Sequence, residues 1–215
     1  MKKVMLSFVL LSVGIIVNAQ SQSEDKKNDE KEKGFKKENL FTGGSIALAF
    51  YSGGSTLGAS PVFGYRIANW VDAGVVVNYT HDSRRDYPNL NDKLRRSVYG
   101  GGAFTRIYPV RFLFAQAQFE HNFTSEKFIP SVGTNQQYKT DANSLLVGAG
   151  IAQGRAPGSN TFFYFAILWD VLKLPESPYV NVLDNNGTTR ANPIIKAGVN
   201  IGLFEGGYGR GGRYR

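Results

Sequence analysis

"KAGVNIGLF", residues 196–204, places Lys196, Gly198, Asn200 and Gly202 on one parity and Ala197, Val199, Ile201 and Leu203 on the other. Side chains along a strand point alternately to opposite faces, so this is a strand with one apolar face and one face of polar or very small groups. Such a strand separates two environments. Whether the apolar one is a protein core or a bilayer decides the function.

Seven further stretches carry the same two-residue period, and no helical period of useful length follows residue 40. Residues 40–50 set Ile46, Leu48 and Phe50 against Ser45, Ala47 and Ala49, and residues 56–66 set Leu57, Phe63 and Tyr65 against Thr56, Ser60, Gly64 and Arg66. Residues 70–80 are the clearest, with Val71, Ala73, Val75, Val77 and Tyr79 opposing Asp72, Gly74, Asn78 and Thr80. Residues 112–122 oppose Leu113, Ala115, Ala117 and Phe119 to Gln116, Gln118 and Glu120, and stretches at 144–153 and 162–171 alternate in the same way. Residues 98–108 stay open, because Phe104 and Tyr108 share a parity with Arg106. Pro61 removes a ladder donor in mid-strand and suggests a bulge there.

The connections alternate in length. Links at 67–69, 109–111 and 154–161 are short, whereas 81–97, 123–143 and 172–191 are long and polar, with only 51–55 brief on that side. An even number of antiparallel strands with short turns at one end and long loops at the other is the layout of an outer-membrane barrel, and strands of about ten residues suit a tilted crossing. A soluble barrel would turn a face dense in Lys, Glu and Thr to water. The less apolar face here is instead rich in Gly, Ala and Ser with scattered charges, which suits the cramped interior of an eight-stranded tube. Tyr65, Trp70, Tyr79, Tyr108, Trp169 and Tyr179 near strand ends are expected in interfacial girdles.

The remaining segments fit an exported protein. Residues 1–19 join Lys2 and Lys3 to an apolar run and a small-residue site at Ala19, the layout of a signal peptide, and the run is short of the roughly 18 residues of a spanning helix. Its removal lowers the net charge from +8 to +6 and leaves about 195 residues, the length of one domain. The chain has no cysteine, so stability must come from packing or from the bilayer. Residues 20–39 are charged and nearly free of large apolar groups, and read as a periplasmic linker. Residues 205–215 form a tail of Gly, Arg and Tyr whose partner, in an exported protein, is not expected to be nucleic acid.

Over residues 40–204 the pattern resembles the eight-stranded barrel domain of the small OmpA-like and OmpX-like outer-membrane proteins. Lys196, Gly198, Ile201 and Leu203 resemble the polar-x-Gly-x-x-apolar-x-apolar insertion signal at the end of such barrels. That resemblance implies recognition by the barrel assembly machinery and residence in a bacterial outer membrane. Members usually stop at a terminal aromatic, whereas this chain continues past Phe204.

The residues that could carry chemistry point to structure and surface contact. Arg66, Asp72, Arg106, Gln116, Gln118, Glu120 and Lys196 are expected to form a lumenal polar cluster that closes the tube, with Asp72 held between Arg66 and Arg106, since a buried carboxylate is stable only when paired. Arg84, Arg85, Lys93, Arg95 and Arg96 form a basic group in the first long loop, suited to outer-membrane lipid and lipopolysaccharide. A barrel enzyme acting on lipid by acyl transfer or deacylation, and a soluble lipocalin-like binder, are the alternatives. His81-Asp82-Ser83 and His121 are the residues the first would need, but neighbours on a strand face opposite ways, so a contiguous triad does not form. No catalytic, cofactor or metal site is expected, and no spacing of His, Cys or carboxylates suggests one. The reading is therefore a structural or surface-interaction barrel, not an enzyme.

Overall fold

The computed structural model describes residues 35–86, 89–156, 159–183 and 188–204, so the signal segment, most of the linker and the tail lie outside the described residues. The barrel is built from β1 (Leu40–Tyr51), β2 (Gly54–Ala68), β3 (Val71–Arg85), β4 (Lys93–Val110), β5 (Leu113–Ile129), β6 (Gln136–Gln153), β7 (Thr161–Asp170) and β10 (Ile194–Gly202). β8 (Val180–Val182) and β9 (Thr189–Ala191) form a separate small hairpin between β7 and β10. Every barrel strand pairs antiparallel with its neighbours, and β1 closes on β10 from Phe41↔Gly202 to Ile46↔Ala197. The fold is all-β, a closed up-and-down barrel of eight strands.

The two parities separate cleanly. Leu48, Val77 and Phe163 on the outside are 61%, 61% and 65% exposed, whereas Asp72, Glu120 and Asn200 inside are 0% exposed. Strand four is settled by the same separation: Phe104, Arg106 and Tyr108 all point inward. The turn-side half of the lumen is aromatic, with Phe41, Phe104, Tyr108, Phe114, Phe162 and Tyr164 in one cluster. Inward glycines make the space for those rings. A Cβ on Gly64 would run into Phe41, one on Gly150 into Phe114, and one on Gly198 into Tyr164. The small residues of the interior face thus alternate with aromatic rings as well as with polar groups.

Several expectations need correction. Tyr108 is buried in the lumen, and Tyr179 turns inward to a lumenal carboxylate, so neither belongs to an interfacial girdle. Trp70, Tyr79 and Trp169 do lie exposed on the outside. At Pro61 no bulge forms: the ladder to β3 lapses between Ala59↔Tyr79 and Val62↔Val76 without a change of register, while Gly44↔Pro61 keeps the pairing to β1. The missing donor costs pairing on the β3 side, and the register is kept across the gap. The register shifts instead at Arg66/Ala68 and at Ile107/Val110, beside the short turns.

The long links are also shorter than the sequence pattern suggests. β3 and β4 stay paired up to Arg85↔Lys93, and β5 and β6 up to Phe128↔Gln136, so most of residues 82–96 and 123–143 is strand. β4, β5 and β6 run to 18, 17 and 18 residues. A tilted crossing needs about ten, so the surplus of about seven carries the sheet ~20 Å beyond the barrel's apolar band. Outside that band both faces of a strand meet water, so hydrophobic alternation fades while backbone pairing continues.

Candidate functional site

Buried polar and aromatic side chains meet one another at successive levels of the lumen. At the turn end Arg155, from the β6–β7 connection, folds back to pair with Asp72 at 3.1 Å and to donate to the Asn69 carbonyl at 2.8 Å. Its guanidinium lies 3.7 Å from the centre of the Tyr108 ring. Both charged groups are almost wholly buried, and a pair in that setting depends on such extra contacts to offset desolvation. Sequence reasoning missed Arg155, because a charged residue in a short polar link carries no periodic signal.

Arg66 faces Asp72 across the β2–β3 ladder and donates to the Glu38 carbonyl at 3.4 Å. Arg106 lies further in, with its guanidinium 4.9, 5.4 and 4.3 Å from the ring centres of Phe104, Phe114 and Tyr164. The guanidinium paired directly with Asp72 is therefore that of Arg155, not those of Arg66 and Arg106 as the spacing suggested.

From Arg106 a chain of hydrogen bonds climbs the inner face of β5, whose alternate residues all face the lumen. Arg106 Nε donates to Gln116 Oε1 at 2.7 Å, and Gln116 Nε2 donates to Gln118 Oε1 at 2.7 Å. Gln118 Nε2 donates to Glu120 Oε1. With the Asn200 amide oriented to satisfy both of its groups, its oxygen accepts from Arg106 Nη1 at 2.8 Å. Glu120 is the node at the top: Lys196 Nζ lies 3.6 Å from Oε1, and Oε2 accepts from Tyr179 at 2.7 Å, Asn122 at 3.1 Å and Asn78 at 3.3 Å. Gln116, Gln118, Glu120 and Lys196 of the expected cluster are thus brought together, with Arg106 at the lower end.

The loop after β7 caps this network. Ser177 donates to Asp170 at 2.6 Å and shares a hydrogen bond with Ser144 at 3.0 Å, while the amide of Leu172 donates to Asp170 at 3.1 Å. These bonds fold the loop inward and aim Tyr179 at Glu120. Burial, and then the Glu120 charge, hold the Tyr179 hydroxyl well above the usual phenol range, so it keeps its proton and acts as donor. Nothing in the sequence around Tyr179 marks an inward turn, since the loop lacks a period.

The basic group of the first long link lies on strand extensions and divides by parity. Arg84 and Arg96 face inward, while Arg85, Lys93 and Arg95 are exposed on the outside. Lys127 on β5, opposite Arg95, and Lys139 on β6 add to the outward set. Asp141 is the one carboxylate on that face of the four extensions among the described residues, and it lies 3.7 Å from His121.

His81 and Asp82 stand on opposite faces, so the contiguous triad does not form. His81 Nδ1 instead meets Ser97 Oγ at 3.0 Å on the outer face. Among the described residues no carboxylate hydrogen-bonds His81 to orient it, and His121 meets Asn143 at 2.9 Å. Nor do the described residues group three metal-ligating side chains.

No family model matches the chain, and no curated protein matches it. Among solved structures it is similar to the crystal structure of Ail, the attachment invasion locus protein of Yersinia pestis, at 12% identity and a TM-score of 0.40, over 75% of this chain and 90% of that one. The eight-stranded closure stands on the strand pairing itself.

Proposed function

We propose that this chain is an integral outer-membrane barrel with a sealed lumen, which docks anionic lipid headgroups on its outward rim and presents the projecting β3–β6 sheet as a surface-contact element. The observation that carries this reading is the order of groups on the outer face. An apolar band, with Leu48, Val77 and Phe163 more than half exposed, gives way along β3–β6 to Arg85, Lys93, Arg95, Lys127 and Lys139. A soluble barrel would leave that band as a large apolar surface in water, while hydrocarbon covers it at no cost. Lys139, Lys127 and Arg95, the nearest of these to the band, suit phosphates of lipopolysaccharide, each adding about 1 kcal/mol near a charged surface. Arg95 and Lys127 stand directly opposite, a repulsive placement unless an anion lies between them.

Outer-membrane fractionation with a heat-modifiability gel tests the location. Release as a monomer stable in buffer without surfactant would end the reading. Lipopolysaccharide binding by the protein in nanodiscs tests the rim: Arg95→Ala with Lys127→Ala should weaken it several-fold and flatten its salt dependence. The reading is of a non-catalytic protein, so His81→Ala and Ser97→Ala should leave lipid A masses unchanged.

A further inference from the structure

The inner face of the projecting sheet, with Asn181 of the β8–β9 hairpin, holds a cleft of about 440 Å³ on the opposite side of the sheet from the cationic rim. Two cross-strand rows line it: Asp82, Arg96, Glu126 and Tyr138, and above them Arg84, Leu94, Phe128 and Gln136. Asp82 is committed, since it accepts from Thr56 at 2.9 Å and pairs with Arg84 at 3.0 Å. Arg96 is not. Its Nε is buried with no hydrogen-bond partner, although Arg96 sits in register between Asp82 and Glu126. Glu126 likewise makes no hydrogen bond or ion pair among the described residues, so a donor and an acceptor of full charge face one cleft without engaging each other.

We propose that this cleft binds a neutral saccharide ring. A pair of adjacent hydroxyls meets both demands at once, accepting from the Arg96 guanidinium and donating to the Glu126 carboxylate. Phe128, Leu94 and Tyr138 offer apolar and aromatic surface for the C–H face of the ring. The volume suits one or two sugar units by the usual size of ligand pockets. Two cations and two carboxylates line the cleft, so its charge balances, which favours a neutral ligand over a phosphate or sulfate. A zwitterionic amino acid could also bridge Arg96 and Glu126, but it would gain little from exposed ion pairs and make no use of the aromatic wall.

The test is binding by the full chain in nanodiscs to an array carrying neutral, sialylated and sulfated oligosaccharides of bacterial and animal origin, followed by saturation-transfer NMR on the free glycan. The array's two origins identify the source of the ring. Retention of neutral glycans, insensitive to salt from about 50 to about 500 mM, is expected, as electrostatic binding would be screened over that range. Arg96→Met and Tyr138→Ala should each weaken it by about tenfold or more, the size of a lost hydrogen bond to a charged group or a lost ring contact. Both variants lie beyond the apolar band, and an unchanged heat-modifiability gel shows that the barrel has formed. The proposal is overturned if no neutral glycan binds, if only charged glycans bind and salt removes them, if free amino acids bind instead, or if Arg96→Met binds as the parent does.

Discussion

Among the described residues Glu120 is a node of the interior, because four donors and the Lys196 ammonium converge on its two oxygens. Replacing it with alanine strands those donors and leaves Lys196 buried without its carboxylate. Glu120→Ala is therefore expected to destabilise the barrel by about 3–5 kcal/mol, the cost of breaking a buried pair from one side. Urea unfolding in detergent measures it, and pairing Glu120→Gln with Lys196→Met should recover most of the loss, because both charges then go together. A second residue acts at the far edge of the molecule. Asp92, nearly buried at the β3–β4 tip, accepts from the Ser131 amide at 2.8 Å and from Asn89 at 3.1 Å, and these bonds hold its carboxyl below the usual range. A depressed carboxylate stabilises the folded tip above the unfolded pKa and loses that contribution as pH falls through the folded value. The protection factor of the Ser131 amide, its exchange rate relative to the intrinsic rate at each pH, should be high at neutral pH and fall below about pH 4; an unchanged protection factor through that range would separate the tip's order from Asp92.

At the scale of the strands, the crossing segments were legible in the sequence and the projecting ones were not. Along the barrel the two faces of a strand meet opposite environments, an apolar exterior and a buried interior, so Val75, Val77 and Tyr79 against Asp72 and Asn78 announce β3 unaided. From Asp82 to Arg85, and along β4 from Lys93 to Arg96, both faces are polar but for Leu94, and no alternation distinguishes a paired strand from a loop. The lumenal glutamines and Glu120 were readable for the reason that β3 was. Arg155 and Tyr179 were not, because each reaches the lumen from a connection whose course depends on Asp72 and Asp170, distant in sequence. The same division separates the effects of mutation. Phe119 lies on the outer face of β5, 49% exposed and near the middle of the crossing. Phe119→Arg should cost about 2–4 kcal/mol in a bilayer, as expected of a lipid-facing cation at the midplane, while a charge reversal at exposed Lys127 should leave folding unaltered. Equal unfolding midpoints for Phe119→Arg and the parent in lipid would place that face elsewhere than hydrocarbon.

The described part of the barrel unit is a closed tube with a projecting sheet, and its interior decides whether the tube is also a channel. An eight-stranded tube has room for little more than its own side chains, and the seal proposed above rests on three groups of them in succession. Arg155 with Asp72 closes the turn end, the rings from Phe41 to Tyr164 with Arg106 among them fill the turn-side half, and the Glu120 network with Tyr179 fills the rest. Because the fillings lie in series, removing one leaves the path blocked by the others. Tyr179→Ala should free the capping loop without opening a pore, since Asn78, Asn122 and Lys196 still surround Glu120 beneath it. Reconstitution in planar bilayers should accordingly give no steady current for the parent or for Tyr179→Ala, and brief flickers at most for Tyr179→Ala combined with Arg155→Ala, in which the aromatic layer still stands. A steady single-molecule current from the parent would show that these groups line a water-filled path and do not fill it. A steady current appearing only in Tyr179→Ala would move the seal to the loop and leave the lumen beneath it open to water.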